Sequence, residues 1–270
     1  MSEAPNPAWS RLNALLAKAS LSPLDPAQSK RFDDYLALLL RWNARVNLTA
    51  IRDEEGILSR HFVESIACAR ALPAGIRTLL DFGSGAGFPG IPIALCRPEI
   101  AVTLAESQGK KAAFLSEAIR VLEISAKQAA EERVEAVSKG RIVSGHDFSR
   151  AVKAAKSTLA LAPEGCISSS LPEPRSISEA CIVHSGRAEA LRAVFDCVTL
   201  RAVDKMELAV QAASKLVRPG GWLALMTTVA DLPALQKAAG AELKWNQPLS
   251  LPGSEDRVIA LGERAIILPA

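Results

Sequence analysis

Leu79-Leu80-Asp81-Phe82-Gly83-Ser84-Gly85-Ala86-Gly87-Phe88-Pro89-Gly90 is the stretch whose reading decides the fold. A short apolar run, Thr78 to Phe82, ends in clustered glycines, and an apolar pattern resumes at Ile91 to Leu95. That order spells buried strand, tight turn and helix, the opening unit of a nucleotide-binding α/β domain. Without a Cβ, the backbone at Gly83, Gly85 and Gly87 is free to turn sharply and to approach a ligand closely. A dinucleotide fingerprint needs glycine at its first, third and sixth positions, and the sixth here is Phe88. A P-loop needs Gly-Lys-Ser/Thr at its end, which is absent.

What remains, an acidic residue followed by Gly-x-Gly-x-Gly, is similar to the opening of many S-adenosylmethionine (SAM) methyltransferases. Downstream, Ile100 to Glu106 reads as a second strand ending in an acid. Glu106 follows Gly83 by roughly twenty residues, where nucleotide-binding βαβ units place a carboxylate that accepts hydrogen bonds from ribose hydroxyls. The competing reading is a surface glutamate at a strand end. Lys110-Lys111 open a helix, Ala112 to Leu122. Further strands are expected at Cys181 to His184, Phe195 to Leu200 and Trp222 to Met226. A helix from Met206 to Val217 stops at the breaker cluster Arg218-Pro219-Gly220-Gly221. Leu243 to Ile267 reads as two strands around Gln247 to Asp256, an antiparallel hairpin at a sheet edge. The fold class is therefore α/β: a mostly parallel sheet with helices on both faces.

The N-terminal region is helical. Trp9, Leu12, Leu15 and Leu16 keep helical spacing, Ser22-Pro23-Leu24-Asp25-Pro26 breaks that helix, and Asp25 is the expected N-cap of the next. The second helix buries Phe32, Tyr35, Leu36 and Leu39, and a third covers Glu54 to Leu72. Arg41, Arg45, Arg52 and Arg60 cluster in sequence with Trp42 and Asn47, either as a phosphate-contacting surface or as solvated charges beside a core tryptophan. His61 is either functional or a structural hydrogen-bonder.

In the 270 residues, 49% are apolar and the net charge is +3, which suits one large α/β domain with an appendage and a mildly basic surface. The five cysteines contain no C-x-x-C pair and, with three scattered histidines, no zinc pattern, so no metal is expected. Reduced thiols, no basic-apolar leader and no apolar run of spanning length suit a soluble cytoplasmic protein with no membrane partner. Residues 125–180 break the strand-helix rhythm: an Ala/Glu/Lys-rich part precedes a Ser/Pro-rich part, as expected of a surface insertion that is partly helical and partly disordered.

The residues together resemble one family. Arg41-Trp42-Asn43, Val46-Asn47-Leu48-Thr49, Arg60-His61, Glu64-Ser65, Asp81 through Pro92, Arg97-Pro98, Glu106-Ser107, Gly109-Lys110-Lys111, Gly186-Arg187-Ala188-Glu189 and Arg201-Ala202 occur in the order of the bacterial glucose-inhibited division protein B family, the small-subunit rRNA guanine-N7 methyltransferases. The resemblance implies a SAM-dependent, Rossmann-like fold with a seven-stranded sheet. It divides the chain into a helical segment, 1–72, packed on a methyltransferase domain, 73–270. It implies SAM as methyl donor, 16S rRNA of the small ribosomal subunit as partner, guanine N7 at nucleotide 527 as target, and a monomer. Carried over by position, the cofactor site comprises Gly83, Gly85, Phe88, Ala188, Glu189 and Arg201, with Glu106 on the ribose.

Guanine N7 bears a lone pair and no proton, so the implied reaction needs no general base, and no catalytic acid-base pair is expected. Asn47, His61 and Arg201 are the candidates facing the substrate. Two departures stand out: Leu200 occupies a position where Ser or Ala is expected, and the insertion falls just before the strand leading to Ala188-Glu189. Two other functions fit the same residues: a SAM methyltransferase with another substrate, and a catalytically impaired rRNA-binding or assembly protein.

Overall fold

A computed structural model describes residues 8–138 and 176–266. The expected insertion thus lies largely outside the described residues, except at its two ends. Helix α1 (Ala8–Lys18) leads into α2 (Pro26–Asn43). Asp25 caps α2 through a reciprocal capping box with Gln28, and Pro26, which lacks an N–H to satisfy, sits in the first turn. The expected third helix divides into α3 (Glu54–Gly56), a π-helical segment (Ile57–Val63) and α4 (Glu64–Ala71).

Strand β1 (Thr78–Phe82), α5 (Gly90–Cys96), β2 (Ala101–Glu106) and α6 (Gly109–Ser138) follow, so α6 runs well past Leu122. Beyond the undescribed stretch come α7 (Ile177–Ala180), β3 (Cys181–Ser185), a 3-10 turn (Ala188–Ala190), β4 (Phe195–Arg201) and α8 (Met206–Leu216). The chain ends in β5 (Val217–Thr228), α9 (Leu232–Ala239), β6 (Leu243–Trp245), β7 (Leu249–Ser250) and β8 (Arg257–Arg264).

Seven strands lie in the order β3-β2-β1-β4-β5-β8-β6, with the two-residue β7 pairing beside β8. The pairs from β3 to β5 are parallel, and β8 runs antiparallel to β5, β6 and β7. The expected terminal hairpin is present, but its second strand lies inside β6 and joins β5. The breaker cluster Arg218-Pro219-Gly220-Gly221 does end α8, yet it belongs to β5. The register jumps there from Phe195↔Val217 to Cys197↔Trp222. The extra residues are absorbed as an irregularity in which Arg218 reaches back to Asp196.

Alternation along each strand sorts side chains onto two faces. Leu79, Leu104, Cys197 and Ala224 pack with the N-terminal helices, α5 and α6 in one core. Leu80, Ala105, Val198 and Leu223 pack with α8 and α9 in the other. Helices α1 and α2 and the π-helical segment therefore contribute to the same apolar cluster as one face of the sheet.

Candidate functional site

Between β1 and β4 the strand order reverses direction, and in open α/β sheets the crevice outside the carboxyl ends of the strands at such a point is where ligands bind. Both strands end there in unusual backbone. After β1, Gly83, Gly85 and Gly87 all have positive φ. After β4, Ala202 (φ 49°) and Lys205 (φ 51°) occupy the left-handed region without being glycine, a conformation that costs energy and tends to persist where surrounding contacts enforce it.

The glycine loop is held from beneath. Asp81, only 1% exposed, accepts hydrogen bonds from the Gly90 amide and the Thr199 hydroxyl, each at 3.1 Å. Burial pushes its carboxyl up to about 6, against the pull of those hydrogen bonds and of Arg201. From the N-terminal side, the Tyr35 hydroxyl donates to the Ala86 carbonyl. Glycine at 87 is obligatory on two counts: its φ is +90°, and a Cβ would lie 2.6 Å from Ile91 Cδ1 and 2.7 Å from the Tyr35 hydroxyl. At Gly85 the same test meets only the Gly83 carbonyl at 3.9 Å, so that position faces open space.

Glu106 ends β2 beside this loop. One carboxylate oxygen accepts the Gly85 amide at 2.9 Å and the other the Gln108 amide at 2.7 Å. The pair fixes the carboxylate and leaves each oxygen with a further lone pair for a diol.

Residues 48–51 form a second wall. Asn43, 4% exposed, organises it: its Oδ1 accepts from the Leu48 and Thr49 amides, and its Nδ2 donates to the Ile51 carbonyl. Thr49 Oγ1 then lies 2.7 Å from His61 Nε2. His61 stacks on Phe88, and burial, reinforced by Arg201, Arg60 and Arg257, lowers its pKa to about 3. The imidazole is neutral at physiological pH and a weak base.

Beneath His61, Glu64 is 1% exposed and meets three guanidinium groups. Arg201 contacts it at 2.9 Å, Arg257 at 2.6 Å and Arg60 at 3.7 Å. Burial pushes the Glu64 carboxyl up, while Arg201, Arg257 and Arg60 pull it down. Arg201 also donates to the Ser65 hydroxyl and the Arg60 carbonyl.

These elements enclose two clefts. The first, about 530 Å³, is lined by His61, Gly83, Gly85, Phe88, Glu106 and Arg201 together with Leu48 to Ile51 and Lys111. The second, about 440 Å³, is lined by Gly186 to Glu189 with Gly83, Lys205 and Leu208. Gly83, Ser107, Val203 and Asp204 line both, so the two adjoin at the switch point.

The sequence-derived cofactor residues are thus gathered: Gly83, Gly85, Phe88, Glu106 and Arg201 in the first cleft, Ala188 and Glu189 in the second. His61 joins them. Asn47 does not: it is exposed, lines neither cleft, and its Oδ1 accepts from Arg52 at 2.8 Å. The arginine cluster is also dispersed, with Arg41 and the Trp42 indole both turned to Glu117. Sequence reading overlooked Thr49, Asn43 and the Val203-Asp204 turn; the Asn-Leu-Thr run held the only local signal for the first.

A sheet of this order, with a glycine loop after β1 and an acid after β2, defines the class: a Rossmann-like methyltransferase fold. An O-methyltransferase from Bacillus cereus, crystallised with SAH, superposes with a TM-score of 0.50 at 15% identity, covering 95% of this chain and 98% of that one. The model of the family described as rRNA small subunit methyltransferase G (GidB) matches residues 28–164. Relatives called ribosomal RNA small subunit methyltransferase G are similar over most of the chain. The one from Stenotrophomonas maltophilia R551-3 is 34% identical over 259 residues, 94% of each chain. That from Xanthomonas euvesicatoria is 34% identical over 248 residues, 91% of this chain and 88% of its own. The Roseiflexus sp. RS-1 relative is 54% identical over a shorter span of 101 residues, 37% of this chain and 43% of its own. The chain belongs to the rRNA small subunit methyltransferase G family.

Proposed function

We propose that this protein transfers a methyl group from SAM to N7 of a guanine in the 16S rRNA of the small ribosomal subunit, nucleotide 527 by family resemblance. The observation that carries the reading is the adjoining pair of clefts at the β1/β4 switch point. The residues fit the cofactor. Open space at Gly85 admits close approach, Glu106 is a fixed acceptor for ribose hydroxyls, and the Ala188-Glu189 turn offers a backbone and an acid to an adenine edge. When bound, SAM supplies an electrophilic sulfonium methyl group.

The chain's own contribution is positioning and electrostatics. Guanine N7 has a free lone pair, so no residue has to remove a proton. The cleft agrees with that requirement: with its pKa lowered to about 3, His61 is a poor proton acceptor, and both oxygens of Glu106 are engaged by backbone amides. His61, Thr49 and Arg201 face the space beside the glycine loop and form the wall against which a flat base is aligned. N7 lies in the major groove, deep and narrow in an RNA helix, so the target base is presented from a loop or distorted element.

The test is methyl transfer from labelled SAM to small subunits that lack the modification, with naked rRNA in parallel and the labelled nucleotide mapped. Label as 7-methylguanosine at one rRNA site supports the reading; folded protein that binds SAM yet labels no RNA overturns it.

A further inference from the structure

We propose that Arg60, Arg201 and Arg257 form a phosphate-binding site for the RNA substrate on the outer flank of the cleft. The inference rests on the rRNA reading above and extends it from Arg201 to two residues outside the cleft lining.

Three guanidinium groups converge on the single buried carboxylate of Glu64. The side chains of Arg201 and Arg257 are only 12% and 18% exposed. Buried charge is costly unless paired, and Glu64 neutralises one of the three. The next acid, Asp256, is exposed, accepts the Ser254 hydroxyl at 2.6 Å and interacts with Arg257 and Arg60, so two acids face three guanidinium groups. The cluster holds more positive charge than its own acids balance.

Hydrogen bonding points the same way. Arg201 is committed to Ser65, Arg60 and Glu64. Arg257 gives one nitrogen to Glu64, and its Nε is buried without a hydrogen-bond partner among the described residues. The Arg60 side chain is 50% exposed and pairs with Glu64 at the long distance of 3.7 Å, while its carbonyl accepts from Arg201. Two guanidinium forks therefore retain donors, and forked N–H groups match phosphate oxygens.

Placement selects the anion. Arg257 opens β8 opposite Thr228, the last residue of β5, on the sheet edge that carries the glycine loop and the Arg201 turn. Arg201 lines the cleft, whereas Arg60 and Arg257 lie beyond its lining. A ligand that meets all three extends out of the cleft. That describes the backbone of a nucleotide whose base is inside; of the three arginines, only Arg201 lines the cleft where the candidate cofactor residues gather.

The experiment measures affinity for unmodified small subunits across a salt series for wild type, Arg60→Gln, Arg257→Gln and Arg257→Lys, with SAM binding by calorimetry on each. One phosphate contact to unpaired RNA contributes about 0.7 to the slope of log affinity against log salt. The expected result is a roughly tenfold weaker complex and a slope flatter by about 0.7 in either glutamine variant. Arg257→Lys keeps the slope, and SAM affinity is unchanged throughout. Half-exposed Arg60 supplies the safe variant should Arg257→Gln fail to fold. Wild-type affinity and slope in both glutamine variants overturn the site and leave methyl transfer standing. Parallel loss of SAM affinity overturns it in favour of the cofactor carboxylate. Wild-type protein that binds subunits with this salt dependence but transfers no methyl group overturns the activity and leaves the site intact.

Discussion

The imidazole of His61 lies flat against the phenyl ring of Phe88, centroids 4.7 Å apart and planes 14° apart. One ring comes from the π-helical segment and the other from the glycine loop, so the contact ties the N-terminal helices to the switch-point edge of the sheet. Phe88 also meets Tyr35 at 5.4 Å and Phe62 at 5.7 Å. A loop held by these rings, by the Tyr35 hydroxyl and by Asp81 is shaped by contacts within the chain, and such preorganisation lowers the ordering cost of binding.

His61 and Asp81 should act on stability with opposite pH signs. An unfolded histidine takes up its proton near pH 6.5, whereas folded His61 resists until about 3, so its contribution is lost as pH falls below 6.5. Folded Asp81 holds its proton up to about 6 and an unfolded aspartate only to about 3.8, so its ionisation costs stability as pH rises between those values. In wild type the two effects offset each other across pH 4–6. His61→Phe should gain stability relative to wild type on moving from pH 7.5 to 5, and Asp81→Asn should lose it, each by about 1–2 kcal/mol. Urea unfolding at the two pH values is the check; parallel behaviour of the two variants would contradict the assignment.

The features legible in the sequence are those carried by neighbours in the chain. Asp81, the glycines and Phe88 sit in one run, and Glu106 closes the adjacent strand, so spacing alone brings them together. The Glu64 cluster depends instead on Arg201 and Arg257, delivered by β4 and by the antiparallel β8, and no local pattern announces it. Periodicity finds a helix over Glu54 to Leu72, but over seven residues it does not separate α from π geometry. Asn47 and Thr49 are both polar residues in a turn. Which one faces the cleft is decided by the buried Asn43 amide, which fixes the turn's backbone.

Gly87→Ala and Gly240→Ala separate close packing from backbone conformation. Both glycines have φ near +90°, but a Cβ at Gly240 would meet nothing within 4 Å, whereas at Gly87 it would collide with Ile91 and Tyr35. Gly240→Ala should cost about 1–3 kcal/mol, the strain of a positive φ with extended ψ that essentially only glycine adopts. Gly87→Ala should cost at least about 3 kcal/mol, because overpacking adds to the strain of its positive φ, and should also abolish SAM binding. Chemical denaturation and calorimetry on both variants provide the comparison; equal destabilisation would argue against the packing account.

Asn43→Ala removes the acceptor for two amides and the donor to Ile51 in one step. Leaving such groups unsatisfied should lower stability by about 2–3 kcal/mol. Because the turn it organises positions Thr49 against His61 rather than touching Glu106, methyl transfer to rRNA should fall more than tenfold while SAM affinity holds. A parallel fall in SAM affinity would show that the turn supports the whole cleft.

Glu106→Gln tests the acceptor at the end of β2. The carboxylate takes one backbone amide on each oxygen, but an amide side chain has a single oxygen and must turn its NH₂ toward either Gly85 or Gln108, both of which donate. The substitution therefore sets donor against donor and removes the charge that would strengthen hydrogen bonds from a ribose diol. A charge-assisted hydrogen bond contributes about 1.5–3 kcal/mol, so SAM affinity should fall by about one to two orders of magnitude. Glu106→Asp keeps the charge but shortens the reach, and should lose affinity by retreating from Gly85. Calorimetric titration of SAM into the three proteins decides the matter. Unchanged affinity in Glu106→Gln would mean that the carboxylate only braces the glycine loop and that the ribose is held elsewhere.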